Sequence, residues 1–134
     1  MNYFVQKTGQ WFDHDLKLIG TGYAGRGKGL NNPDMQGVRG VGPLCCGFYT
    51  IGPLEPSHDH LGLNVAELDP DLTNVMHGRS GFYLHGRKSP EDMNASEGCV
   101  VLDHEPRMKI LNGEDRRLQV VAEESDLPVK EVVT

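Results

Sequence analysis

His85 and Cys99, fourteen positions apart, are the residues best equipped for covalent chemistry at a carbonyl. A free thiol titrates near ~8.5 and becomes a better nucleophile beside an imidazole, so thiol acyl-transfer sites pair these two residue types. His85-Gly86 closes one predicted strand and Ser96-Glu97-Gly98-Cys99 opens the next, so a strand-loop-strand connection brings the imidazole beside the thiol. Gly98 allows a tight backbone approach, and the amides of Gly98 and Cys99 are candidate donors to an oxyanion. Ser96 is suited to a hydrogen bond with a substrate backbone or within the turn. Arg79, in His77-Gly78-Arg79-Ser80-Gly81, could grip a substrate carboxylate through paired N–H groups or pair with one of the 19 acidic residues. The competing reading makes Cys99, followed by Val100-Val101-Leu102, a small hydrophobe in a core strand.

Other motifs carry less. Gly20-Thr21-Gly22-Tyr23-Ala24-Gly25 matches G-x-G-x-x-G after a predicted strand, but Arg26-Gly27-Lys28-Gly29-Leu30-Asn31-Asn32-Pro33 cannot begin the helix that would hold a pyrophosphate. Gly22 to Lys28 fits G-x-x-x-x-G-K, yet Gly29 stands where Ser or Thr would hold magnesium. His58-Asp59-His60 has no second thiol or His pair at zinc spacing and reads as a solvated loop. Asp13-His14-Asp15 reads as a turn, and Cys45-Cys46 as residues packed at a strand start. No metal site and no cofactor are expected.

Short strands must position these groups. Tyr3 to Lys7, Leu16 to Ile19, Phe48 to Ile51, Leu61 to Leu68, Phe82 to His85, Cys99 to Leu102 and Leu118 to Ala122 are the β-branched, aromatic or alternating runs. Gly20 to Gly42 has neither helical nor strand periodicity and reads as one long structured loop. Asp103 is placed to cap a helix of about three turns that Gly113 ends. The expected architecture is mainly β with one short helix and long Gly-rich loops. Residues 1–122 form the domain, and 123–134 form a loosely held acidic tail.

With 134 residues, the chain has room for one domain. Seventeen glycines and eight prolines favour turns, and three cysteines with an adjacent pair make no disulfide framework. The balance of 13 basic against 19 acidic residues, a net charge of −6 without a basic run, makes nucleic acid a poor partner. The start, Met1 to Lys7, lacks the features of a signal peptide, and no apolar stretch approaches the ~20 residues of a membrane span. Synthesis in the cytoplasm and no membrane insertion are the expectations.

Phe82-Tyr83-Leu84-His85-Gly86 with Ser96-Glu97-Gly98-Cys99-Val100-Val101 resembles the active-site signature of L,D-transpeptidases. Gly20 through Pro33 and Gly42 through Gly52 look like the branch found as type VI secretion L,D-transpeptidase effectors and in phage or prophage proteins. The similarity runs roughly from Gly9 to Val121. It implies a β-sandwich or partial barrel, Cys99 as nucleophile, His85 as general base, and Ser96, Gly98 and Gly86 as the frame around the thiol. Arg79 corresponds to an arginine with a substrate or structural role. Glu97 departs from the second His of most housekeeping members, and Cys45-Cys46 departs from a usual Pro-x or Pro-Pro pair. The implied activity is on peptidoglycan stem tetrapeptides, as L,D-carboxypeptidase, transpeptidase or D-amino-acid exchange through a Cys thioester. Without a signal peptide, an envelope substrate implies delivery by a secretion apparatus or a phage, and a toxin implies a cognate immunity protein over the site. A different class is a non-catalytic structural or binding module of a phage or secretion particle that keeps the fold.

Overall fold

The computed structural model describes residues 1–89, 92–93 and 95–129; the end of the acidic tail, 130–134, and three positions of the loop joining His85 to Cys99 lie outside them. The strands are β1 (Asn2–Val5), β2 (Gln10–Phe12), β3 (Leu18–Thr21), β4 (Tyr23–Ala24), β5 (Gly47–Ile51), β6 (Glu55–His58), β7 (Gly62–Pro70), β8 (Tyr83–His85), β9 (Val100–Val101) and β10 (Arg117–Val121). One α-helix, α1 (His104–Leu111), lies between β9 and β10. The molecule is mainly β, as expected. Its strands run β3-β2-β1-β10-β5-β7-β8-β9-β4, with β6 beside β7 off that path. This is an open mixed sheet that does not close into a barrel.

Alternation within the strands selects the buried face. In β10, Leu118 and Val120 are buried while Gln119 is half-buried, and Leu118 sits opposite the fully buried Tyr49 of β5. Phe4, Trp11, Ile51, Leu68, Leu84, Val100 and Leu102 join them in one core, which α1 covers with Ile110 and Leu111. Buried polar groups inside it are satisfied: Trp11 Nε1 donates to Asn2 at 3.1 Å, and the Tyr49 hydroxyl donates to the Cys45 carbonyl at 2.6 Å.

Three strands escape the sequence reading: β4, within the stretch read as a loop, and β2 and β6. β2 is only Gln-Trp-Phe, and β6 is Glu-Pro-Ser-His, where Pro56 argues against a central strand; β6 has only β7 beside it, where a proline is tolerated. The helix is shorter than expected at eight residues, about two turns. Asp103 occupies its N-cap position but its side chain caps nothing; the carboxylate accepts from Arg87 instead, 3.1 Å from Nε and 3.4 Å from Nη2.

The Gly-rich stretch ends β3, supplies β4 and then makes two three-residue 3-10 turns, Gly27–Gly29 and Pro33–Met35, so no helix follows G-x-G-x-x-G. Its glycines serve close approach. A Cβ on Gly22 would lie 1.8 Å from the Val101 carbonyl oxygen, where β4 meets β9. Cys45 and Cys46 pack before β5 and tie this stretch to β1: Cys46 N–H donates to Gln36 Oε1, and the Gln6 amide donates to the Leu44 carbonyl at 2.7 Å. All three cysteines are free thiols.

Beyond Ala122, expected to be loosely held, Glu123 and Asp126 cap one another around a 3-10 turn, and Leu127 packs on the small cluster of Val5, Phe12 and Val121.

Gly22→Ala is expected to destabilise by about 1–3 kcal/mol or more, since the backbone of β9 cannot yield to a methyl group. Gly27→Ala meets open space and bears only its positive φ of 56°, about 1 kcal/mol. Urea unfolding with unchanged slope reads both. Equal losses would show that conformation alone governs this stretch.

Candidate functional site

β8 and β9 are parallel neighbours, with Leu84 opposite Val100 and His85 opposite Val101. One step back, the register sets Cys99 beside Tyr83. Alternate residues of a strand share a face, so Tyr83, His85, Cys99 and Val101 point to the same side. The expected pair is thereby brought onto one face, offset by two residues, roughly 6.6 Å along the strands.

Cys99 and His85 line one cavity of about 750 Å³, together with Tyr83, His58, His60, Arg79 and Glu97. Sulfur and imidazole make no direct hydrogen bond; the Tyr83 amide donates to Cys99 Sγ at 3.3 Å. His85 Nδ1 lies 2.7 Å from the Gly86 carbonyl, which can only accept, so Nδ1 carries the ring proton. Nε2 is therefore an unprotonated nitrogen, buried and without a hydrogen-bond partner among the described residues. Burial holds the imidazole below its ordinary pKa against the opposing pull of the Gly86 carbonyl, with the charges of Arg107 and His58 acting in the same direction as burial. Burial also pushes the Cys99 thiol above its ordinary value; the Tyr83 amide and, more weakly, Arg79 oppose it. The resting pair is a neutral thiol and a neutral imidazole whose free nitrogen is an acceptor.

Ser96 is fully buried and acts inside the turn. Its Oγ accepts the amides of Gly25 and Gly98, each at 3.0 Å, and donates to the Cys99 carbonyl at 2.6 Å. Of the two roles expected for Ser96, these bonds are those of the turn, and one candidate oxyanion donor is changed: the Gly98 amide is engaged by Ser96.

Arg79 is 6% exposed, and its guanidinium donates to the carbonyls of Gln36, Gly42, Pro43 and Glu97 while lying 5.1 Å from the Phe82 ring centroid. It straps the Gly-rich stretch to the turn before Cys99. That is a positioning role, with both Nη groups committed to backbone carbonyls. Gly98, at φ 137°, makes room for it: a Cβ there would lie 2.4 Å from Arg79 Nη2. Gly86 does the same for Arg107, whose Nη1 would be 2.1 Å from a Cβ. Arg107, also buried, donates to the carbonyls of Leu63, Asn64 and Leu102. The glycines framing His85 and Cys99 thus exist to admit two buried guanidiniums.

A second cavity of about 680 Å³ adjoins the first and shares His85 and His60 with it; Gly86, Arg87, Lys88 and Arg107 line its far side. Leu61 and Ala95 also line both.

His60 is exposed in a turn, as its reading as a solvated loop expects, but His58 is half-buried at the end of β6, which that reading missed. The β6–β7 hairpin folds them over β8, and the His58 ring meets Tyr83 edge-on with centroids 5.0 Å apart. Nothing local announces this, because the placement depends on β6, whose Pro56 disguises it. Asp13-His14-Asp15 is a turn, with the Asp13 carboxylate accepting the amides of Asp15 and Lys17.

No helix among the described residues is long and apolar enough to cross a membrane. No curated protein and no solved structure is similar enough to match the chain. The family model of the Tlde1 domain matches residues 19–124, which take in β3 through β10 and both members of the Cys99–His85 pair. The chain belongs to the Tlde1 domain family, a family of type VI secretion effectors.

Proposed function

We propose that the chain is a cysteine enzyme that modifies peptidoglycan, acting on stem tetrapeptides as an L,D-carboxypeptidase, an L,D-transpeptidase or a D-amino-acid exchanger. The observation that supports this best is the His85 ring. Its proton is held at Nδ1 by the Gly86 carbonyl, its buried Nε2 has no hydrogen-bond partner among the described residues, and the residue lines a cavity with Cys99.

In the proposed reaction Nε2 takes the thiol proton as sulfur attacks the carbonyl of the third stem residue. The resulting imidazolium then protonates the departing amine of D-alanine, leaving a thioester on Cys99. Water, a free D-amino acid or the amine of another stem resolves it, with His85 again as base. A small rotation of Cys99 about its side chain, off the Tyr83 amide, supplies the approach that the resting geometry lacks; catalytic hydrogen bonds often tighten only in the complex. The effector family fits delivery from a producing cell into the envelope of a target; a cognate immunity protein seated over the cavity is part of the same proposal.

A second reading is a non-catalytic module, and the raised Cys99 thiol favours it, since an inert buried cysteine has that property. Incubation with muropeptides, read by mass, separates the two. Loss or exchange of the terminal D-alanine is expected from the parent protein and is absent from Cys99→Ala. His85→Ala is expected to fall by at least about 10²-fold. No product from the parent with water, D-amino acids or a second stem as acceptor would favour the module.

The pH dependence follows from the two shifts. Because burial depresses the His85 pKa, the base stays unprotonated to below the ordinary imidazole value of ~6.5, and the acid limb of kcat/KM is expected below that pH. Because the thiol is raised, iodoacetamide is expected to label Cys99 slowly at pH 7 and faster only above the ordinary thiol value of ~8.5. Peptide mass distinguishes Cys99 from Cys45 and Cys46, both also raised by burial, Cys46 to about 11. Rapid labelling of Cys99 at pH 6 would instead indicate a preformed thiolate.

A further inference from the structure

His58 holds a position that the proposed chemistry can use. It ends β6, opposite Gly62 at the start of β7, and the turn between them folds back on the ring. The amides of His60 and Leu61 donate to His58 Nδ1 at 3.1 and 3.2 Å. An atom accepting two N–H groups carries no proton of its own, so the ring proton is at Nε2. On its other side the ring packs edge-on against Tyr83, at 5.0 Å and 63°, the residue whose amide holds the Cys99 sulfur. Hairpin turn and tyrosine together fix the ring in the wall of the Cys99 cavity. Its Nε2–H makes no hydrogen bond among the described residues.

Two histidines of opposite tautomer therefore face one cavity. His85 presents an acceptor at Nε2, and His58 a donor. Attack on a carbonyl needs both: an acceptor for the thiol proton, and donors for the oxygen on which negative charge develops. The second requirement is short of a member, because Ser96 engages the Gly98 amide and Arg79 is committed to four backbone carbonyls.

We propose that His58 is a second catalytic histidine of this site, its Nε2–H donating a hydrogen bond to the oxyanion of the tetrahedral intermediate. The assignment deepens the reading of Cys99 and His85 as an acyl-transfer pair and rests on it. In the step, the thiol proton passes to His85 Nε2, the S–C bond forms, and the carbonyl π pair moves onto oxygen, which His58 stabilises while keeping its own proton. On collapse the C–N bond breaks and the departing amine takes the proton from His85. His58 does no proton transfer; it supplies a fixed dipole.

The test compares the parent, Cys99→Ala, His58→Phe and His58→Gln on a stem tetrapeptide, following D-alanine release. His58→Phe keeps a ring against Tyr83 and loses the donor; it is expected to lower kcat by about 10²–10³-fold with KM little changed. His58→Gln, which restores an N–H at similar reach, is expected to recover at least about tenfold of that loss. The iodoacetamide labelling rate of Cys99 and the melting temperature are expected to stay at the parent's values, since the donor acts on the substrate oxygen and not on the thiol. Should His58→Phe melt lower, His58→Met, which fills the space with neither ring nor donor, is read in its place. Unchanged kcat, or a loss matched by altered labelling of Cys99, or no recovery in a folded His58→Gln, would overturn the role of His58 while leaving the Cys99–His85 reading standing. Absence of product from the parent itself would overturn both.

Discussion

The parallel register of β8 and β9 is the constraint on which the site depends. Leu84 and Val100, opposite one another, are fully buried, and this anchors the pairing: a slip of one residue would take Val100 out of the core face it shares with Leu84 and turn Cys99 away from His85. Parallel neighbours also cannot be joined by a tight turn; they need a crossover of about a dozen residues. The stretch from Gly86 to Gly98 is that crossover. It carries Ser96 and Gly98, so the connection demanded by topology also builds the turn that presents the thiol.

Two buried guanidiniums hold this arrangement from opposite ends. Arg79 clamps the Gly-rich stretch onto the turn before Cys99, and Arg107 ties α1 to the start of β7 and to the chain leaving β9. Both donate to backbone carbonyls, and the planar fork suits several such acceptors at once in a way an ammonium cannot reproduce. Their fields act on the chemistry as well. Arg79 favours the thiolate of Cys99, while Arg107 disfavours charge on His85. Gly86 and Gly98 are the gaps through which these side chains approach. A signature that reads as His-Gly and Gly-Cys is, physically, a record of where two arginines lie.

Much of this was legible from the residues alone. Strands rich in β-branched and aromatic residues, such as Gly47–Ile51 and Tyr83–His85, stand where alternation and turn residues put them, and His85 and Cys99 meet in one cavity. What escaped was tertiary. For Ser96 and Arg79 the sequence left a substrate role open beside a role in the turn or in the structure; in the fold their partners are main-chain groups, distant in sequence in the case of Gly25, Gln36 and Gly42. Asp103 looked like a helix cap, but Arg87 competes for its carboxylate through two N–H groups. His58 looked solvated because the strand that carries it contains a proline and borrows its order from β7.

The resting state of the pair bears on where such a site can work. A thiolate held ready beside an imidazolium is the form most exposed to oxidation, because susceptibility follows thiolate character and access. Here burial opposes charge on both partners and favours the protonated thiol under the Tyr83 amide; in the proposed reaction the proton passes to His85 only as sulfur attacks a carbonyl. For an enzyme delivered into an oxidising envelope, as proposed, this favours survival of the nucleophile over speed of the first turnover. The cost is that the oxyanion must be stabilised by groups already in place, because no preformed ion pair lowers the barrier for them. A fixed donor such as the His58 ring, locked by two backbone amides and a tyrosine, meets that demand without any rearrangement when the substrate binds.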